Sequence, residues 1–271
     1  MLKDITFGQY IFGKSVIHRL DPRLKIMCTI LFIFMLFAST NPIGICATIL
    51  FSIILFAVAK IPLKLVRKSL KPIIPIVLFT SVLNMFFMSG DPLFTIWKLT
   101  ITKQGVYFAI ILSLRIVCLI AGSSLLTYTT SPIELTDGIE SLLSPLKRFK
   151  MPVHELAMMM TIALRFIPTL IEETDKIMSA QKSRGANLDT GNFITRVKAL
   201  VPVLVPLFIS SFRRADELAL AMECRCYHGG EGRTRLKRLI FKPVDLWASI
   251  VFLIVFAFVV SINFIIPLAV I

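Results

Sequence analysis

The feature that most limits what this chain can fold into is the alternation of long apolar runs with segments where its cations collect. Five runs stand out, at residues 24–38, 43–59, 72–88, 105–128 and 244–270. About 20 apolar residues cross a bilayer core, so the first run is short and the last is long enough to tilt. Ser39-Thr40-Asn41-Pro42 reads as a turn, pairing the first two runs as a hairpin of short, tilted or partly extramembrane helices. Pro75 falls in the first turn of the third run, where proline is tolerated. Composition agrees: the 271 residues are 56% hydrophobic and 17% charged. A soluble domain sits near about 45–50% and 25%. Lipid is therefore the solvent for much of this surface.

The formal charge of +14 has a pattern. Residues 1–25 hold Lys3, Lys14, Arg19, Arg23 and Lys25 against Asp4 and Asp21. Residues 60–71 hold Lys60, Lys64, Arg67, Lys68 and Lys71 with no acid. Residues 130–243 are charged throughout, whereas 90–104 carry only Lys98, Lys103 and Asp91. Cations kept between apolar runs fit the positive-inside rule rather than a nucleic-acid-binding patch. The pattern predicts an all-α polytopic membrane protein with five spans. Its N-terminus and residues 60–71 and 130–243 lie in the cytoplasm, and 90–104 and the C-terminus lie outside. The corresponding domains are a transmembrane domain at 1–129, a cytoplasmic helical domain at 130–243 and a last span at 244–271. Cys28, Cys46, Cys118, Cys224 and Cys226 are an odd set in apolar or cytoplasmic segments and read as reduced thiols. The polar start, with Lys3, Asp4, His18, Asp21 and Pro22, reads as carrying no secretory signal.

Within 130–243 the spacing predicts one short and two long helices. Ser131-Pro132-Ile133-Glu134 is a helix start, and Ser144-Pro145 ends that helix near Leu143. A second helix runs from Pro152 to Gly185, and a third from about Asn192 to Tyr227, ending at Gly229-Gly230. A mostly apolar series recurs every seven in both: Leu156, Ala163, Leu170 and Ile177 in the second, Val197, Leu204, Ser211 and Leu218 in the third. Met160 and Ile167, then Val201, Phe208, Ala215 and Met222, interleave. Both stripes suit helix-on-helix packing. Pro168, Pro202 and Pro206 are candidate bends. Continuing each series by seven reaches an arginine, Arg184 in one helix and Arg225 in the other. Either alone would be a cation favouring the negative end of the helix dipole, worth about 0.3–1 kcal/mol. Repetition at the same stripe position, between small residues, points instead to a docking element used twice. A guanidinium flanked by Ser183 and Gly185, or by Cys224 and Cys226, can enter a groove and meet a carboxylate bidentately.

Ala180-Gln181-Lys182-Ser183-Arg184-Gly185 and Ala219-Leu220-Ala221-Met222-Glu223-Cys224-Arg225-Cys226-Tyr227 resemble the paired X-Arg-X signatures of the energy-coupling factor transporter T component. Arg165-Phe166-Ile167-Pro168 and Gly229-Gly230-Glu231-Gly232-Arg233-Thr234 are also similar to that family, and the resemblance covers essentially the whole chain. One departure is that the second motif commonly reads Ala-Arg-Gly, where Cys224-Arg225-Cys226 stands here. The resemblance implies a non-catalytic scaffold without a cofactor, serving a vitamin or metal-ion importer. Its two arginine-bearing ends dock on two cytoplasmic ATP-binding cassette ATPases, and its membrane face holds a separate, exchangeable substrate-binding subunit. Ser183, Arg184, Gly185, Cys224, Arg225 and Cys226 are the expected ATPase contacts, with Glu223, Tyr227 and Arg115 in support. A short 186–191 connection favours antiparallel helices, separating the two arginines.

Other signals weigh less. Arg115 lies inside an apolar run, where an ionisable residue is a candidate for helix or partner contact when it does not simply snorkel. Cys224-x-Cys226-x-His228 fails as a metal site, because alternate helical residues point about 200° apart. Glu134, Asp137 and Glu140 form a solvated face without a nucleophile. His18 and His154 are isolated. There is no Gly-x-x-x-x-Gly-Lys loop, so nucleotide binds elsewhere. The alternative function, a permease with its own substrate pathway, needs polar groups converging inside the spans, where only Arg115 and sparse residues such as Asn84 qualify. A membrane enzyme needs a catalytic cluster that the sequence lacks.

Overall fold

The computed structural model describes residues 10–39, 41–88, 90–96, 99–186, 193–229 and 239–265. In chain order the elements are α1 (Val16–Arg19), α2 (Pro22–Ala38), α3 (Pro42–Ala59), α4 (Leu63–Leu70), α5 (Ile74–Phe87), β1 (Pro92–Ile96), β2 (Leu99–Thr102), α6 (Lys103–Thr129), α7 (Pro132–Leu143), α8 (Val153–Ser183), α9 (Phe193–Glu223) and α10 (Pro243–Ile265). This is the all-α polytopic architecture that the apolar runs predict. The antiparallel hairpin β1–β2 is an addition, in a segment whose composition marks it only as a connection. Ser131 caps α7 through the Glu134 N–H, and a 3-10 turn (Ser144–Phe149) follows Leu143. The described residues divide into two compact units. One comprises those between 140 and 238, the other those of 8–139 with 239–271. The expected connection at 186–191 lies outside the described residues beyond Ala186.

Helices α2 and α3 pack chiefly on α6 and α10. Phe32, Met35, Leu36, Phe51, Cys118, Phe252 and Val259 form the core between them. Gly122 lets α6 approach α2 closely, since a Cβ there would collide with the Phe32 ring. A second cluster, Ile17, Ala59, Ile61 and Tyr128, gathers around the last turn of α6.

The ends of these helices are satisfied by their neighbours. A helix leaves its first four N–H and last four C=O groups without internal partners, and lipid offers none. Asp21 caps α2 by accepting from the Arg23 N–H at 2.9 Å. The Asp245 carboxylate, 2% exposed, accepts from the Lys242 N–H at 2.7 Å and from the Asp21 N–H at 2.8 Å. One carboxylate thus serves the starts of both α2 and α10. At the other polarity, Lys25 Nζ on α2 donates to the Thr129 carbonyl at the end of α6 (2.9 Å) and to the His18 carbonyl (3.1 Å). Arg115 on α6 returns the service: its Nη2 donates to the Ser39 carbonyl that ends α2, at 2.6 Å. Each of two antiparallel helices caps the other with a cation.

Four described helices are long and apolar enough to cross a membrane: α3, α6, α8 and α10. The α4–α5 pair makes a fifth if it counts as one span bent by 57°. This set differs from the five apolar runs at two places. Helix α2, at 17 residues, is about 26 Å long and falls short of a roughly 30 Å core. Helix α8 qualifies because its charged band begins only at Glu172.

Replacing Asp245 by Ala leaves two helix-start N–H groups unpaired, that of Asp21 buried and that of Lys242 partly so. It should lower stability by about 2–3 kcal/mol, with Asp245→Asn costing roughly half as much. Thermal unfolding of the detergent-solubilised protein checks this.

Candidate functional site: the ends of two long helices

Helices α8 and α9 each contain 31 residues and run unbroken through Pro168, Pro202 and Pro206. They are antiparallel, because contacts nearer the end of α8 fall nearer the start of α9. Gln181 Nε2 donates to the Pro202 carbonyl at 3.3 Å, while Glu173 meets Ser210 and Arg214. The first contact has a local cause. The Pro202 carbonyl would accept from residue 206, but Pro206 has no N–H, and the Gln181 amide fills the vacancy. In the second, Glu173 Oε2 accepts from Arg214 Nη2 at 2.8 Å and the other carboxylate oxygen from the Ser210 hydroxyl.

The packed face of α9 departs from the expected stripe over the first half of the helix, while Ser211, Leu218 and Met222 of that stripe are half-buried. Val203 is buried, and Leu207, Ser210, Arg214 and Leu218 are half-buried. Val197, Val201, Leu204 and Phe208 (61% exposed) instead face outward with Val205, Ile209 and Phe212. On α8 the stripe divides: Leu156, Met160 and Ala163 are exposed, whereas Ile167, Leu170 and Ile177 are half-buried. The first half of the seven-residue series of α9 therefore lies on an exposed apolar face. There the helix–helix seam is shifted onto a row containing a partly buried ion pair, which hydrophobic periodicity cannot register.

Both helices end in the same hydrogen-bonded cap. At the end of α8, Ala186 N–H donates to the Gln181 carbonyl and Gly185 N–H to the Lys182 carbonyl, both at 3.0 Å. At the end of α9, Tyr227 N–H donates to the Met222 carbonyl at 3.1 Å and Cys226 N–H to the Glu223 carbonyl at 2.8 Å. This is the Schellman pattern, which turns the chain through one residue with positive φ. Gly185 takes that role at φ +86° and Cys226 at φ +55°. Arg184 and Arg225 occupy the equivalent place, one residue earlier. Ser183, Arg184, Gly185, Glu223, Cys224, Arg225 and Cys226 are all exposed, and Tyr227 is half-buried. His228 Nδ1 lies 2.8 Å from the Cys226 carbonyl. Among the described residues neither Arg184 nor Arg225 is paired with a carboxylate. Since α8 ends beside Pro202, the distance along α9 from that level to Arg225 is about 35 Å at ~1.5 Å per residue.

The structure brings together the residues of each motif but keeps the two motifs apart. It places Arg115 in the other unit as the cap of α2 described above. Gln181 and Glu173 are the residues that sequence reasoning missed. The Pro202/Pro206 spacing of four is the available signal for the first. Glu173 carries none, because its partners lie about forty positions away.

A family model described as cobalt transport protein matches residues 13–236. A Clostridium kluyveri relative is 56% identical over 253 residues, covering 92% of this chain and 93% of its own length. One from Ruminiclostridium cellulolyticum is 51% identical over 265 residues (98% and 99%), and one from Bacillus subtilis 49% over 258 residues (95% and 97%). Each is named energy-coupling factor transporter transmembrane protein EcfT.

The left-handed conformation costs a residue with a Cβ about 1 kcal/mol or more relative to glycine. Cys226→Gly should therefore tighten the end of α9 and Gly185→Ala loosen that of α8, each by about 1 kcal/mol. Slower amide exchange at Tyr227 in the first variant and faster exchange at Ala186 in the second are the expected readings.

Proposed function

Because the chain belongs to the energy-coupling factor transporter transmembrane protein family, we propose that it is the non-catalytic coupling subunit of such a transporter, seated through Arg184 and Arg225 on two cytoplasmic ATPases. The observation that carries this reading is the duplicated helix end: two helices of equal length, the same cap, and at the same place in each an exposed arginine that is unpaired among the described residues. A tight cap fixes the arginine backbone, so little order is lost when its planar guanidinium enters an acidic groove. Small neighbours, Ser183 and Gly185 or Cys224 and Cys226, leave the groove wall free to approach. Glu223 and Tyr227 flank the second contact.

The antiparallel pairing supports a two-part motor, since tips about 35 Å apart suit two subunits better than one pocket. Two polar clamps, Gln181 with Pro202 and Glu173 with Arg214 and Ser210, tie the helices together. ATP-driven closure and opening of the ATPases then moves the helix pair, and residues 130–243 act as the coupling domain. The exposed apolar face of α9, Val197 through Phe212, suits contact with a membrane-embedded substrate-binding subunit that carries the vitamin or metal ion. In this reading 60–71 and 130–243 are cytoplasmic, as is the N-terminus, and the C-terminus is outside.

The test is Arg184→Ala combined with Arg225→Ala. ATPase co-purification should fall at least tenfold, with ATP-driven uptake lost, and either single change should be milder because one tip still holds. Wild-type complex yield and transport in the double variant would reject the assignment.

A further inference from the structure

Helix α4 carries a second cationic surface that the coupling function leaves unused. Lys64, Arg67, Lys68 and Lys71 follow one another at i, i+3, i+4 and i+7, which places them on one helical face, and all four are exposed. Lys60, just before the helix, is exposed as well. Among the described residues none of the five is paired with a carboxylate. The opposite face holds α4 to the bundle. Leu65 and Val66 pack on the Tyr128 cluster, and the Tyr128 hydroxyl meets the Ser69 hydroxyl and, at 3.2 Å, the Leu65 carbonyl.

The setting of this helix decides what its charges face. Pro72 and Pro75 lack the N–H groups that would carry α4 straight into α5, and the two helices meet at 57°. Helix α5, 14 residues and about 21 Å long, covers only part of a roughly 30 Å core, and the bend at its start turns the chain toward the membrane plane along α4. Leu63, 74% exposed, is the apolar residue at its outer flank. A short helix beside a span, apolar below and cationic above, has the build of an interfacial element whose lysines reach lipid phosphates.

We propose that Lys64, Arg67, Lys68 and Lys71 on α4, with Lys60, form a binding surface for anionic phospholipid headgroups in the leaflet next to the cation-rich, cytoplasmic side. Each cation near an anionic leaflet contributes on the order of a fivefold preference, which salt screens. The surface ties the α3–α5 corner of the membrane unit to the leaflet at a fixed depth.

The test uses the intact purified transporter, delipidated and titrated separately with phosphatidylglycerol and phosphatidylcholine, with bound lipid counted by native mass spectrometry. Wild type should favour phosphatidylglycerol roughly fivefold or more, and the preference should shrink as ionic strength rises. Lys60→Gln/Lys64→Gln/Arg67→Gln/Lys68→Gln/Lys71→Gln should abolish it, and the charge-keeping Lys60→Arg/Lys64→Arg/Arg67→Lys/Lys68→Arg/Lys71→Arg should retain it. An unchanged preference in the glutamine variant overturns the proposal. So does its loss of the ATPases with lipid preference intact, which would make this a protein-docking face. If the glutamine variant does not assemble, the wild type decides: no preference for phosphatidylglycerol at low salt also overturns it.

Discussion

Helices α2 and α6 exchange cations at their ends, and the membrane unit is organised around that exchange. Lys25 covers the Thr129 carbonyl that ends α6, while Arg115 covers the Ser39 carbonyl that ends α2. In water such caps would be worth little. In lipid an unpaired carbonyl costs several kcal/mol, so a short helix needs a donor brought by its neighbour. Asp245 solves the same problem at the opposite polarity for α2 and α10. With both ends supplied, α2 can remain shorter than a full span. The ionisable residue inside the fourth apolar run thus has an architectural occupation.

The same requirement shapes the long helices. Pro206 removes a donor from the middle of α9, and Gln181 restores it from α8, so a local defect becomes an inter-helix contact. At their far ends both helices close with the same cap. The cap satisfies the terminal carbonyls internally and leaves the arginine side chains of positions 184 and 225 free of backbone duty. An arginine needed to stabilise its own helix end would be a poor docking group; these two are unpaired among the described residues.

Much of this was legible without coordinates. The apolar runs gave the helices of the membrane unit, Ser131-Pro132 and Ser144-Pro145 gave α7, and the stripe arithmetic found both arginines at their helix ends. The hairpin β1–β2 was hidden, because nine residues of mixed composition carry no period that separates strand from loop. The seam of α9 was misread for a different reason. Hydrophobic periodicity identifies an apolar face but does not say whether another helix, lipid or a partner covers it. Here the apolar face is outward and the inward row is held partly by the Glu173–Arg214 ion pair. Cys226 illustrates the reverse case, where the fold imposes on a cysteine the positive φ that glycine would take at no cost.

By itself the sequence determined the long helices, most of their ends, and that much of the surface belongs in lipid. These follow from short-range rules: apolar length, proline and serine at helix starts, glycine and arginine at helix ends. Tertiary structure alone decided which helix end each buried charge serves, which face of α9 is covered, and that the two arginines share one backbone geometry. Those outcomes depend on pairs such as Asp21 with Asp245 or Lys25 with Thr129, more than a hundred residues apart. Nothing in the local chain encodes such a distance; only the packing of neighbouring helices, driven by the need to satisfy backbone groups away from water, brings them together.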